Sequence, residues 1–253
     1  HEGRHTMKIV VIGGTGLIGS QVVTILAEHG HEAVPASPSS GVNTLTGEGL
    51  TQAFTGADVV VDVSNSPSFA DDDVMNFFTT STTNMIAAEK AAGVKHHVAL
   101  SIVGASRLPN SGYLRAKVAQ ERLITESGVP FSIIEATQFF EFAQSIADSA
   151  TSGNTVTLPQ GHFQPIASKD VATVVARTAA HEPLNGRLEI GGPEEFPMDD
   201  FIRSILASAG DPREVVTTPA AEYFGTTLSG RELATTEGAE LSTLRYSDWA
   251  ARA

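Results

Sequence analysis

The chain has 253 residues, no cysteine and a formal net charge of −13, with a sequence pI near 4.9. This acidic balance argues against nucleic acid and against an anionic membrane as main partners, because both favour clustered Lys and Arg. The lack of cysteine excludes a disulfide framework, a thiolate metal site and a thiol nucleophile. We find no signal segment and no apolar run of membrane-spanning length, so we expect a soluble, cytoplasmic protein.

The segment Lys8–Gly19 carries the clearest local signal in the chain. An apolar run, Ile9–Ile12, ends in glycines at positions 13, 16 and 19, and an apolar, helix-compatible segment follows. A strand, a glycine-rich turn and a helix start together present backbone N–H groups to a pyrophosphate. Gly13 is expected to allow the turn, Gly16 to admit the phosphates and Gly19 to let the helix pack on its strand. The alternative is a turn with a structural role only. The residues predicted to contact the nucleotide here are Gly13, Thr15, Gly16, Leu17, Ile18 and Gly19.

Strands and helices alternate over the first 135 residues, which predicts an α/β fold with a parallel, doubly wound sheet. The predicted strands are Ile9–Ile12, Glu32–Ala36, Asp58–Val63, Val98–Val103, Phe131–Ile134 and Arg187–Ile190, and Thr155–Leu158 and Gln164–Ala167 read as short extended pieces. The predicted helices are Gln21–Ala27, Gly49–Phe54, Asp71–Ala92, Tyr113–Ser127, an aromatic-rich helix opened by Gln138–Phe142, Asp170–Ala180 and Met198–Ala209. The stretch Glu214–Glu237 reads as irregular chain that lines or covers a pocket.

The turn-rich segment Ser37–Gly41 follows the second predicted strand, where dinucleotide folds distinguish NAD from NADP. NAD-specific folds usually place an Asp or Glu there, on the ribose 2′-hydroxyl. Residues 33–47 contain no acidic residue, and they contain no Arg or Lys either. Because an acid would repel a 2′-phosphate, we predict NADP(H) in preference to NAD(H), with Ser37, Ser39 and Ser40 donating hydrogen bonds to that phosphate. The alternative for the three serines is an ordinary surface loop.

Polar residues at the ends of two later predicted strands extend this prediction. Ser64 and Asn65 follow the apolar run DVVVDV, and we expect them to touch the adenosine half of the cofactor. Thr137 follows the strand at Phe131–Ile134 and is also assigned to the cofactor. No metal site is predicted: Asp71–Asp73 read as the charged start of a helix. The neighbouring residues His96 and His97 precede a strand and point to opposite faces.

Three further residues have the types and spacing of an acid/base site. Tyr113 and Lys117 are spaced i, i+4 at the start of a predicted helix and therefore share one helical face. Ser101 lies near the carboxyl end of a predicted strand, where α/β folds bind ligands. A nearby ammonium stabilises a phenolate and lowers the pKa of a tyrosine toward working pH. The alternatives are an exposed aromatic for Tyr113 and a surface cation for Lys117.

These motifs together resemble the short-chain dehydrogenase/reductase superfamily. The resemblance is closer to its atypical NmrA-like branch of NAD(P)H-binding proteins, which includes quinone-reductase-like and isoflavone-reductase-like members. It extends over Met7–Ala253, and the motifs that carry it are GGTGLIG, Ser101, Tyr113-x-x-x-Lys117, Ile166-Ala-Ser-Lys-Asp170-Val-Ala and Tyr246-Ser-Asp-Trp249. It implies a Rossmann fold in which residues 7–150 form the NAD(P)-binding domain. Residues 151–253 then complete the sheet and add a small substrate-binding lobe within one compact unit. The residues before these, His1–Thr6, look like a tag remnant, with Met7 as the expected native start.

The resemblance also implies catalytic roles. In the superfamily the tyrosine is the general acid/base, the lysine holds the nicotinamide ribose and the serine orients the substrate carbonyl. These roles fall here on Tyr113, Lys117 and Ser101. Two positions depart from the pattern: many relatives carry Arg-Pro where this chain has Glu135-Ala136, and a basic residue where it has Ser37-Pro38.

We therefore expect an NADPH-dependent oxidoreductase that reduces a small apolar or aromatic carbonyl, quinone or enone, acting as a monomer or homodimer. Aromatic side chains are candidate pocket walls, although apolar cores use the same residue types. The candidates on the substrate side are Gln138, Phe139, Phe140, Phe142, Phe163 and Tyr223. Two other classes stay open. One is a non-enzymatic NADP-binding redox sensor that binds a partner protein. The other is a nucleotide-sugar epimerase or dehydratase, which needs more basic residues than the few arginines after Gly191.

Overall fold

A computed structural model describes residues 6–252, so that, of the predicted tag remnant, all but Thr6 lies outside the described residues. Alternating β-rich and helix-compatible segments of the sequence form the elements that their periodicity predicts. The strands are β1 Lys8–Ile12, β2 Glu32–Ala36, β3 Val59–Asp62, β4 His96–Ile102, β5 Phe131–Ala136, β6 Thr151–Ser152, β7 Thr155–Leu158, β8 His162–Phe163, β9 Gly186–Gly191, β10 Phe196–Pro197, β11 Glu214–Thr217, β12 Glu222–Tyr223, β13 Thr226–Thr227 and β14 Glu240–Leu241. The helices are α1 Leu17–Glu28, α2 Leu50–Phe54, α3 Asp71–Ala92, α4 Gly112–Thr125, α5 Ala143–Ser149, α6 Ser168–Ala179, α7 Met198–Ser208 and α8 Tyr246–Arg252.

The central element is a seven-stranded sheet in the order β14-β9-β5-β4-β3-β1-β2. It is parallel and flanked by helices, which confirms the predicted doubly wound α/β fold. The strand order reverses at β1, because β2 pairs with one edge of β1 and β3 pairs with the other. In open α/β sheets this reversal is the point at which ligands bind, outside the carboxyl ends of the strands. The turn after β1 therefore occupies the ligand-binding position of the sheet.

The interior strands are buried on both faces, which explains their continuous apolar sequences. In β1, Ile9, Val10 and Val11 have no exposed surface, and in β3 the same holds for Val60 and Val61. Successive residues of a strand point to opposite faces, so burial of all of them requires helices on both sides of the sheet. This packing holds the carboxyl ends of β1 and β3 rigidly in place.

The chain divides into two compact units. Of the described residues, the first unit holds 6–101 together with Ala116–Glu135 and Lys169–Leu188. The second unit holds Ile102–Arg115, Ala136–Ser168 and 189–252. The glycine turn, Ser101 and Lys117 thus belong to the first unit and Tyr113 to the second. The predicted domain boundary after residue 150 stays a prediction.

Three local predictions are corrected by the structure. His96 and His97 lie inside β4 rather than before it, since the strand begins two residues earlier than its apolar run. The segment after β5 begins as a 3₁₀ turn, Phe140–Phe142, and becomes α-helical only at Ala143. The stretch Glu214–Glu237 is not irregular throughout. It contains β11, β12 and β13, because short strands there pair with each other or with β7.

Of the helices among residues 6–252, none combines the length and apolar character that crossing a membrane requires.

Candidate functional site

Two of the three glycines in the turn after β1 are required by the packing of the chain itself. Gly13 has φ +82°, and a Cβ on it would lie 2.9 Å from the backbone of Ser64. A Cβ on Gly19 would lie 2.0 Å from the carbonyl oxygen of Gly13, which is far inside contact distance. Gly13 therefore allows the turn, and Gly19 allows α1 to pack against it, as the sequence predicts.

Gly16 differs from Gly13 and Gly19, because no contact within residues 6–252 requires a glycine there. Its φ of −79° and ψ of −175° suit any residue, and an added Cβ would meet only the Gly13 carbonyl oxygen at 3.4 Å. Gly16 is exposed and forms the N-cap of α1, without a side-chain cap. The first N–H groups of a helix have no partner inside the helix, and the helix dipole favours negative charge there. An exposed glycine at this point leaves room for a phosphate group, so this cradle fits a dinucleotide.

The other residues of the turn divide by exposure. Thr15 and Leu17 are exposed beside Gly16, whereas Ile18 is buried under α1. Only the exposed residues and the backbone of the first helical turn are open to a ligand.

The serine-rich loop after β2 begins next to this turn. The Gly13 N–H donates to the carbonyl oxygen of Ala36, the last residue of β2. Ser37 and Ser39 share a hydrogen bond between their hydroxyls of 2.8 Å, and the Ser40 hydroxyl accepts from the Ser37 N–H. Ser39 and Ser40 are exposed, and Ser37 is half-buried. The loop thus presents hydroxyl groups and no charge at the position where the sequence predicts a 2′-phosphate.

A buried carboxylate that the sequence reasoning missed lies at the end of β3. Asp62 is 1% exposed, and its Oδ1 accepts hydrogen bonds from both the N–H and the hydroxyl of Ser64. Its Oδ2 accepts from Gln120 Nε2 at 3.3 Å. Asn65 is exposed and accepts from the Ser66 N–H through its side-chain oxygen. The available signal was an acid closing an apolar run, since a buried acid needs a structural or chemical reason.

Lys117 is a buried cation, which rules out the surface reading considered from the sequence. It is 4% exposed, donates from Nζ to the Leu100 carbonyl oxygen at 3.0 Å, and stands 4.3 Å from the centroid of the Phe78 ring. Burial lowers the pKa of Lys117 to about 8, even though the carboxylates of Asp62 and Glu121 act in the opposite direction. The side chain therefore combines a fixed position with a charge that titrates near neutral pH, as functional groups often do.

Ser101 is bonded to a second carboxylate that the sequence reasoning missed. Its hydroxyl donates to Glu121 Oε2 at 2.6 Å, and both side chains are buried. The other oxygen of Glu121 accepts from Arg187 Nε at 2.8 Å. Glu121 is four residues after Lys117 on α4, so the i, i+4 stripe that starts at Tyr113 continues to it. That spacing was the available signal.

Tyr113 lies in the second unit, one helical turn before Lys117 on α4. It is 9% exposed rather than a surface aromatic. Its ring stacks on Phe224, with centroids 5.2 Å apart and planes inclined by 30°. Tyr223 packs against the same phenylalanine, and burial together with the neighbouring Tyr113 raises the pKa of Tyr223.

Thr137 and Gln138 each carry a buried polar side-chain atom just after β5. Thr137 Oγ1 and Gln138 Oε1 are buried, and neither has a hydrogen-bond partner among the described residues. A buried polar atom left unpaired is costly, so such atoms at the carboxyl end of β5 suit contact with a bound ligand.

The remaining substrate candidates fall into different environments. Phe139 stacks on Phe142, which is 47% exposed, with centroids 5.7 Å apart. Phe140 is buried against Tyr246, and Phe163 is fully buried against Phe201. Phe140 and Phe163 are therefore part of the core, and of these four phenylalanines only Phe142 offers a large open surface.

The two histidines of β4 have separate partners, as their opposite directions require. His96 is bonded to Ser132, and His97 is bonded to Glu89. Burial lowers the pKa of His97, but the Glu89 carboxylate outweighs this and leaves it raised. Residues 6–252 contain no group of three or more potential metal ligands.

Comparison with known proteins supplies the family context. A family model described as NAD(P)H-binding matches residues 13–182. The chain is 24% identical to a photosystem II assembly factor of Cyanophora paradoxa over 85% of this chain and 73% of that one. It is 28% identical to an NAD(P)H azoreductase of Xenophilus azovorans over 81% of this chain and 74% of that one. A short-chain dehydrogenase/reductase superfamily protein of Agrobacterium tumefaciens, solved with bound NAD, has the same fold. It superposes with a TM-score of 0.72 at 18% identity, over 97% of this chain and 95% of the other.

Proposed function

The chain belongs to the NAD(P)H-binding family whose sequence model matches residues 13–182, and we propose that it is an NADPH-dependent reductase of small carbonyl, quinone or enone compounds. The family match and the relatives named as reductases support the broader prediction of an NAD(P)H-dependent oxidoreductase of the atypical short-chain type. The observation that carries the cofactor part of this proposal is Gly16. This exposed glycine at the start of α1 has no role in the packing of the chain, and a phosphate-binding backbone explains it.

The residues that would hold the cofactor lie along the carboxyl ends of β1, β2 and β3, with Thr137 after β5. When bound, the cofactor supplies the hydride that reduces the substrate. The first turn of α1 would bind the pyrophosphate through its N–H groups, and Lys117 would hold the nicotinamide ribose through its ammonium. The full set that we assign to the cofactor is Gly13, Thr15, Gly16, Leu17, Ile18, Gly19, Ser37, Ser39, Ser40, Ser64, Asn65, Lys117 and Thr137.

A preference for NADPH over NADH follows from the loop after β2. An acid in this loop would bind a ribose 2′-hydroxyl and repel a 2′-phosphate, and residues 33–47 contain none. The Ser40 hydroxyl donates to the Ser37 carbonyl oxygen in this structure, so it would donate to the phosphate in place of that bond, whereas the hydrogen-bonded Ser37–Ser39 pair keeps one hydroxyl proton to donate. The loop also begins at the glycine turn, which places both features on the same part of the sheet.

Tyr113 and Lys117 are the proposed catalytic residues. A carbonyl that is reduced gains negative charge on its oxygen and needs a proton, which the Tyr113 hydroxyl would donate. Lys117 would contribute its positive charge, which is held in place by the Leu100 carbonyl oxygen. A quinone needs less from Tyr113, because charge spreads over its conjugated ring.

The proposed role of Ser101 depends on a change of its hydrogen-bond partner. The carried-over role is to orient the substrate carbonyl, whereas its hydroxyl donates to Glu121 in this structure. One hydroxyl proton makes one good hydrogen bond at a time, so the carried-over role requires that bond to exchange when substrate binds. We therefore expect S101A to reduce kcat less than Y113F does.

One experiment tests the proposed activity. NADPH and NADH are titrated by cofactor fluorescence, and oxidation of the bound cofactor is then followed against quinones, enones and ketones. We expect turnover with NADPH, and we expect Y113F to lower kcat for a ketone by about a hundredfold or more while changing that for a quinone much less. Undiminished ketone reduction by Y113F would remove Tyr113 from the catalytic role.

A second experiment tests the cofactor preference alone. The S39D variant places a carboxylate in the loop after β2, and we expect it to weaken NADPH binding at least about tenfold while NADH binding changes little. The control is T51D, which adds the same charge at an exposed position of α2. Equal loss of NADPH affinity in both variants would attribute the effect to net charge and not to a 2′-phosphate contact.

A binding function without turnover is the second candidate, favoured by the relative named as an assembly factor. In this case the protein would bind the dinucleotide and recognise another protein according to its redox state. It predicts tight NADPH binding and no cofactor oxidation by any member of the carbonyl and quinone panel.

A further inference from the structure

The hairpin β12–β13 has an unusual residue in its turn. Tyr223 pairs with Thr226, so Phe224 and Gly225 form a two-residue connection. Both residues have positive φ, +53° for Phe224 and +77° for Gly225. This is the pattern of a type I′ turn, in which Asn-Gly is the favoured pair.

A phenylalanine in this conformation is strained. The left-handed region brings Cβ close to the following carbonyl oxygen, and only glycine, asparagine and aspartate visit it readily. The other non-glycine residue with positive φ in the described part of the chain is Asn185, which is of a tolerated type. Strained residues persist where the surroundings hold them, and they concentrate at functional sites.

The Phe224 side chain makes two aromatic contacts that explain why the turn holds it. Its ring stacks on Tyr113 at 5.2 Å and packs on Tyr223 with centroids 4.5 Å apart. Phe224 is nevertheless 39% exposed, while Tyr113 is 9% exposed. Phe224 therefore keeps part of its surface open to solvent beside a tyrosine that the chain otherwise covers.

We propose that Phe224 determines substrate specificity by offering its exposed surface to a planar conjugated carbonyl compound, such as a quinone or an aryl enone. The inference rests on the proposed reductase function and deepens it. An aromatic contact with the exposed part of Phe224 brings the flat ring of the substrate next to Tyr113, against which Phe224 packs. A flexible aliphatic ketone gains little from the same surface, so Phe224 discriminates between the two substrate classes.

Phe142 and Phe139 form another aromatic pair in this unit and are the alternative surface for a flat substrate. Phe142 is 47% exposed and stacks on Phe139. No strained backbone accompanies it, since both residues have negative φ. Its stacking partner is a phenylalanine, which has no proton to donate.

The test compares variants on a flat and a non-flat substrate. F224N removes the ring and places a residue that the turn favours, so the hairpin is expected to fold. F224Y keeps an aromatic ring, and L241N removes an exposed apolar side chain elsewhere in the same unit. The readouts are KM for 1,4-naphthoquinone and for cyclohexanone, the Kd of NADPH, and Tm.

We expect F224N to raise KM for 1,4-naphthoquinone about tenfold and to leave KM for cyclohexanone and the NADPH Kd within about twofold. F224Y should restore the naphthoquinone KM, L241N should change neither KM, and F142N should raise the naphthoquinone KM less than F224N. The inference is overturned if both substrates are affected equally by F224N, or if F142N has the larger effect.

Failure of the proposed function is separable from failure of this inference. If no substrate oxidises NADPH, binding of 1,4-naphthoquinone to the NADPH-loaded protein is measured by equilibrium dialysis. Weaker binding to F224N than to F224Y then supports the stacking surface. Equal binding to both, or no binding to the unmodified protein, overturns it.

Discussion

Two of the turns that hold a residue in the left-handed backbone conformation, the turn after β1 and the turn of the β12–β13 hairpin, differ in the residue that occupies it. In the turn after β1 it is Gly13, where a Cβ would collide with the backbone of Ser64. In the hairpin turn it is Phe224, whose ring contacts Tyr113. The first turn has glycine where the backbone is left-handed, as is usual, so this turn can be predicted from the sequence. The second breaks this rule to place a side chain, and such exceptions identify candidate functional positions.

The largest effect is expected from a substitution in the glycine turn after β1. The G19A variant places a Cβ 2.0 Å from the Gly13 carbonyl oxygen, and only a shift of the backbone relieves this contact. We expect the free energy of unfolding to fall by about 2 kcal/mol or more, together with loss of NADPH binding. Chemical denaturation and fluorescence titration measure the two. A G19A protein with normal stability would contradict the packing role.

Lys117 is expected to give the next largest effect. Its pKa of about 8 means that the ammonium loses its proton as pH rises through 8, so NADPH affinity should fall over that range. The folded pKa is lowered, so the unfolded chain binds more protons between about pH 8 and 10.5. In this window the free energy of unfolding should therefore rise with pH, by up to about 3 kcal/mol. The control is K117M, which should lack both pH dependences. A binding profile that is flat from pH 7 to 9.5 would contradict the cofactor role of Lys117.

Gly16 separates binding from folding within the same turn. Its backbone conformation suits alanine, and an added Cβ meets only one atom at 3.4 Å. We expect G16A to change the free energy of unfolding by less than about 0.5 kcal/mol and to weaken NADPH binding about tenfold. Thermal unfolding and NADPH titration of the same sample test this. Unchanged affinity would mean that Gly16 does not face the phosphates.

The smallest effect is expected on the stability of the strained turn. In F224N, loss of the ring contacts lowers the free energy of unfolding by about 1 kcal/mol. Removal of the backbone strain of a left-handed phenylalanine raises it by about as much. The free energy of unfolding should therefore change by less than about 1 kcal/mol. The comparison variant is F201A, which removes a buried ring and should cost about 3 kcal/mol or more. A similar loss in F224N would show that Phe224 stabilises the fold rather than binding a ligand.

Part of the candidate site was predictable from local pattern. The apolar runs of β1 and β3, the glycine spacing and the i, i+4 pair on α4 each depend on residues close together in the chain. Asp62 and Glu121 were missed because their burial and their bonds to Gln120 and Ser101 depend on residues far away in sequence. Phe224 was missed because no local pattern predicts an aromatic residue at a turn position that favours asparagine or glycine.

The sequence by itself determined the parallel sheet, the glycine turn at its switch point and the membership of an NAD(P)H-binding family. These follow from hydrophobic periodicity and from conformations that only glycine adopts easily, both of which are short-range properties. Only the tertiary structure decided that Lys117 is buried, that Ser101 is bonded to Glu121 and that Phe224 covers Tyr113. Burial, charge pairing and ring stacking depend on which distant segments meet, and that is settled by the packing of the whole chain.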